Sequence, residues 1–82
     1  MTKALAPDQA AEAVLTASKE RGRYLFEIRE SKSGGTLAQT EISAPLSHHE
    51  HIIYLHWAET RRVEATIDYD FGDNNLKFTL SY

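Results

Sequence analysis

From Tyr24 onward the large side chains recur at every second position. Tyr24, Phe26 and Ile28 alternate with Leu25, Glu27 and Arg29; Ser31-Lys32-Ser33-Gly34-Gly35 interrupts, and a second extended run covers Thr36 to Ser43. Period two on both sides of a Gly-rich break is the pattern of a hairpin, here over about 23–43. Pairing Glu30 with Thr36 sets Ile28 opposite Ala38, Phe26 opposite Thr40 and Tyr24 opposite Ile42, with Glu27 meeting Gln39 on the other face. A one-residue slip would put Phe26 against Gln39 and exchange the faces, so the first register is preferred.

A second alternation fills the C-terminal part. Val63, Ala65, Ile67 and Tyr69 alternate with Glu64, Thr66, Asp68 and Asp70, and Leu76, Phe78, Leu80 and Tyr82 alternate with Lys77, Thr79 and Ser81. A type II′ turn centred on Gly72-Asp73 would pair Tyr69 with Leu76, Ile67 with Phe78, Ala65 with Leu80 and Val63 with Tyr82. The same register sets Lys77 across from Asp68 and Thr79 across from Thr66, giving a hairpin over about 62–82.

The first 20 residues carry few large aliphatics: Leu5, Val14 and Leu15. Ala10, Ala11, Glu12, Ala13, Ala17, Lys19 and Glu20 are strong helix formers. Pro7 and Asp8 suit a first helical turn, Lys19 and Arg21 a last one, and Gly22 a left-handed stop, so propensity predicts a helix over about 7–21. Its apolar stripe is narrow. Between the hairpins, His51 to Trp57 has two isoleucines, a tyrosine and a tryptophan, which is strand composition. Ser47 and Glu50 would form a capping box if the segment were helical instead. On a helical wheel its apolar residues spread over nearly all sides, so 51–58 reads as a buried central strand. The expected fold is α+β: one domain over 1–82, with an N-terminal helix packed on an antiparallel sheet of four to five strands. The alternative is αββαββ, with a second helix near 47–59.

Composition narrows the function classes. Eighty-two residues with no cysteine leave room for one core and no disulfide framework. The segment Met1 to Pro7 lacks an apolar run of signal-peptide length, and no apolar stretch approaches a membrane span, so a cytoplasmic protein is expected. Nine basic against 12 acidic residues give a formal charge of −3. The whole deficit lies after residue 41, which weighs against a generic nucleic-acid binder.

Three constellations could carry chemistry. His48, His49 and His51 flank Glu50, with His56 beyond. In an extended segment His49 and His51 point the same way, but two imidazoles do not complete a metal site and other ligands would have to converge on them. These three histidines are weak metal candidates, and they define the alternative function, a small metal-dependent or acid-base enzyme. Asp68 to Asn75 resembles a calcium loop only in composition, because Asp73 stands where the loop needs Gly and Thr79 where it needs Glu. Arg61-Arg62 near Trp57, with Tyr24 and Phe26, suggests a single-strand nucleic-acid surface that Glu59, Glu64, Asp68 and Asp70 oppose.

As a strand, 51–58 has Ile53, Leu55 and Trp57 on one side and Ile52, Tyr54 and His56 on the other. One modest helix covers only one of these faces. The acidic row Glu64, Thr66, Asp68 and Asp70 runs beside them. The expected function is therefore a small protein-binding module, an inhibitor, adaptor or accessory subunit, with Tyr54, Trp57, Glu64, Thr66, Asp68 and Asp70 as partner-binding residues. A basic or nucleic-acid-binding protein, or a second copy of the chain, is the expected partner. Neither a cofactor nor a membrane is implied.

Overall fold

A computed structural model describes residues 2–46, 51–69 and 74–82. Within them lie seven strands: β1 Thr2–Leu5, β2 Ala11–Ala17, β3 Arg23–Glu30, β4 Thr36–Ser43, β5 Ile52–Glu59, β6 Arg62–Asp68 and β7 Asn75–Ser81. They form two antiparallel sheets, β1-β2-β3-β4 and β5-β6-β7, in simple sequence order. The sheets pack face to face, with β1 beside β5 and β4 and β3 against β7. The fold is thus all-β, a sandwich of two meanders, and not α+β; neither the expected helix over 7–21 nor the alternative helix near 47–59 is present among the described residues.

The residues expected to form the helix form a hairpin. Helix propensity distinguishes ordinary residues by no more than about 0.7 kcal/mol each, and a helix of that length is marginal without tertiary packing. The segment also has a hidden period of two. Ala11, Ala13 and Leu15 are buried in the inter-sheet core as alternate residues of β2. All three are at most 1% exposed, a burial on every second residue that the narrow helical stripe does not anticipate. The helix-start signals serve the turn instead. The Asp8 carboxylate accepts from the Ala10 amide at 3.0 Å, Gln9 adopts a left-handed φ of 62°, and the Ala6 amide donates to the Ala11 carbonyl at 2.9 Å. Gly22 is left-handed as expected, at φ 80°, but it closes the β2–β3 turn rather than a helix. A Cβ there would lie 2.7 Å from the Ala44 carbonyl oxygen, so a side chain would push the β4 exit away.

The β3–β4 register is the expected one from Tyr24↔Ile42 to Ile28↔Ala38. A bulge then makes Thr36 the partner of Arg29 and not of Glu30, whose amide donates to the Gly35 carbonyl at 2.8 Å. The C-terminal register differs from expectation by two residues: Ile67 faces Leu76, Ala65 faces Phe78 and Val63 faces Leu80. Lys77 consequently lies across from Thr66, and Thr79 across from Glu64. A slip of two keeps every side chain on its face, so alternation cannot detect it. The Tyr69 amide donates to the Asn74 carbonyl at 3.2 Å, and the turn expected at Gly72-Asp73 lies outside the described residues.

Segment 52–59 is a strand, but it lies at the edge of its sheet and not at its centre. Ile53, Leu55 and Trp57 pack on the core that Phe26, Leu15, Ile28, Val63, Ala65 and Ile67 build between the sheets. The cover for this face is the four-stranded sheet, where a helix was expected. No helix long and apolar enough to cross a membrane is present among the described residues.

Candidate protein-binding face

The outer face of the three-stranded sheet is set by its ladders. Ile52 faces Asp68, which faces Asn75; Tyr54 faces Thr66, which faces Lys77; His56 faces Glu64, which faces Thr79. Ile52 and Tyr54 are neighbours on this face because strand side chains two apart point the same way. They are 45% and 57% exposed, while Glu64, Thr66 and Asp68 are half-buried beside them. At the turn that joins β5 to β6, Arg62 pairs with Glu59 at 3.1 Å. An apolar pair flanked by Glu64 and Asp68 therefore occupies one side of the sandwich.

Of the partner-binding residues expected from sequence, Tyr54, Glu64, Thr66 and Asp68 share this face. Trp57 does not. It is half-buried on the core side, and its indole N–H donates to the Ala4 carbonyl at 2.9 Å. Asp70 lies outside the described residues, as do His48 and His49. His51 has both ring nitrogens engaged. Nε2 lies 3.0 Å from the Pro45 carbonyl, which can only accept, so Nε2 carries the proton and Nδ1 accepts from the Tyr24 hydroxyl at 2.5 Å in the neutral ring. Among the described residues no three His, Asp or Glu side chains are placed to hold a metal ion.

Two arrangements were not anticipated. The β2–β3 turn and the chain leaving β4 enclose an open cleft of about 280 Å³, lined by Lys19, Arg21, Arg23, Tyr24, Leu46 and His51. Arg23 pairs with Glu20 at 3.1 Å, and burial pushes the Tyr24 phenol up. Propensity places Lys19 and Arg21 in the last turn of a helix and Arg23 in the hairpin after it, so the sequence reading does not bring the three together. On the outer face of the four-stranded sheet, Glu27 is only 4% exposed. Arg29 donates to it from Nη2 at 2.8 Å and from Nε at 3.4 Å, and Thr36 adds a longer hydroxyl contact at 3.5 Å. The hydrogen bond and the charge of Glu27 push the Arg29 guanidinium further toward its charged form. Alternation alone marks Glu27 as a solvent-facing residue, so no sequence signal distinguished it. Comparison with protein-family models, with curated proteins and with solved structures finds no match to this chain.

Proposed function

We propose that this chain is a small cytoplasmic protein-binding module, an inhibitor, adaptor or accessory subunit that docks through the outer face of β5–β6–β7. The observation that carries this reading is the exposed pair Ile52 and Tyr54, seated beside the carboxylates of Glu64 and Asp68. An aromatic and a branched aliphatic side chain supply desolvated contact area, and Tyr is enriched among residues that dominate binding energy. The neighbouring carboxylates favour a protein partner with a basic surface and speed its encounter. Trp57, being turned inward, takes no part in the contact.

The test compares capture from native lysate by four baits at equal folded concentration: wild type, Ile52→Asp/Tyr54→Glu, Glu64→Lys/Asp68→Lys, and Lys32→Ala as a distant control. The reading expects one partner to be lost with both face variants, roughly tenfold or more, and kept by the control, since losing a central contact of about 1.4 kcal/mol already gives a factor of ten. Equal capture by wild type and both face variants rejects the face.

A further inference from the structure

The sandwich has four strand edges, and they are protected unequally. β1 is four residues long, and the Trp57 indole holds its Ala4 carbonyl. β5 lies beside β1 and ends in a bulge between Trp57 and Glu59. β7 carries Lys77, a charge of the kind that discourages strand addition. β4 is eight residues long with the sequence Thr-Leu-Ala-Gln-Thr-Glu-Ile-Ser: one charge, no proline and no lysine. It pairs with β3 alone, and six of its eight residues are exposed, Ala38 being half-buried and Ile42 buried. Its contact with β7 runs across the sandwich and not through a ladder.

The direction of its main-chain groups follows from one bond. The Ala44 amide donates to the Gly22 carbonyl at 2.8 Å, which makes that rung a hydrogen-bonded one. Antiparallel rungs alternate, so Ile42, Thr40 and Ala38 turn their main chain toward β3, while Ser43, Glu41 and Gln39 turn their N–H and C=O groups outward. We infer that this outward row is a self-pairing edge, and that two copies of the chain join β4 to β4 antiparallel about a two-fold axis at Thr40, making one continuous eight-stranded sheet.

Side-chain complementarity selects both the occupant and the register. An axis at Thr40 sets Thr40 against Thr40 of the second copy, Ala38 against Ile42, and Gln39 against Glu41, the last pair occurring twice by symmetry. Thr–Thr and amide–carboxylate pairs are favourable cross-strand neighbours. An axis at Glu41 would oppose two carboxylates, and one at Gln39 would put Leu37 against Glu41. Registers with the axis between residues would pair the core-facing side of one copy with the solvent side of the other. The strand is thus complementary to itself in one arrangement. This inference uses the opposite sheet from the proposed binding face and stands or falls separately from it.

Sedimentation velocity from micromolar to millimolar concentration tests it, starting from a monomer of 9.3 kDa. A concentration-dependent doubling of mass is expected. Gln39→Lys, which faces Glu41 twice, should tighten the dimer, and Gln39→Glu should weaken it, each by roughly 2- to 30-fold from two cross-strand pairs. Gln39→Pro removes only an outward-facing N–H and should abolish the dimer while leaving the circular dichroism of the monomer unchanged. Ile52→Asp/Tyr54→Glu should leave it intact. A mass that stays monomeric to millimolar concentration, or a dimer indifferent to the three Gln39 variants, overturns the inference.

Discussion

The indole N–H of Trp57 donates to the carbonyl of Ala4 at 2.9 Å across 53 positions of sequence, tying an edge strand of one sheet to an edge strand of the other. That bond explains why the single tryptophan of the chain is absent from the exposed face its neighbours Tyr54 and Ile52 occupy. It also makes the N-terminal hairpin part of the sandwich and not an appendage.

Trp57→Phe keeps the ring packing and removes the donor. We expect a loss of about 0.5–1.5 kcal/mol in urea unfolding, the net worth of one ordinary hydrogen bond. In the wild type, tryptophan emission reports docking of β5 on β1 directly. An unchanged midpoint in Trp57→Phe would show that the Ala4 carbonyl does not depend on the indole.

Gln9 holds a left-handed φ of 62° in the β1–β2 turn. A residue with a Cβ is strained there and glycine is not, so Gln9→Gly should stabilise the protein by about 0.5–1 kcal/mol. The same substitution in the helix expected from propensity would destabilise by about the same amount. The sign of one unfolding measurement therefore separates the two folds.

Glu27 is buried under Arg29. Removing the guanidinium alone leaves a carboxylate without its charge partner, whereas replacing both residues by valine leaves an apolar strand face. Arg29→Val should therefore be less stable than Glu27→Val/Arg29→Val, with the two single changes strongly non-additive in a double-mutant cycle. Additive single effects would show that the pair is not coupled.

Burial pushes the Tyr24 phenol above its ordinary value near 10, so the native state holds that proton more tightly than the unfolded chain. The resulting stabilisation is complete below pH about 10 and is lost as pH rises through the native pKa. Stability should fall on the alkaline side, and Tyr24→Phe should make that fall shallower. Identical alkaline slopes in the two proteins would contradict the burial.

Alternation was sufficient for the strands from Tyr24 to Ser43 and from Val63 to Asp68, and it correctly divided Ile52, Tyr54 and His56 from Ile53, Leu55 and Trp57. It was insufficient where its symmetry hides the answer. The two-residue shift of Leu76 from Tyr69 to Ile67 leaves both faces unchanged. In the first hairpin, alanine served two readings at once. Ala11 and Ala13 favour a helix by backbone propensity and also suit a strand buried beneath another sheet, and only the presence of the second sheet decides between them. Trp57 was placed among the binding residues because aromatic rings often anchor interfaces, but which face of a strand is inward depends on where the second sheet lies, and that is not a local property.

The most direct test of the account places a photo-activated benzoylphenylalanine at position 54, and separately at position 32, in the otherwise native chain and irradiates each in host lysate. A discrete heterologous adduct from position 54 that is absent from position 32, and that excess unlabelled wild-type protein competes away, is the predicted result. Adducts that are the same from both positions, or an adduct at position 54 that persists when Glu64→Lys/Asp68→Lys is added, would show that this face does not recruit a partner.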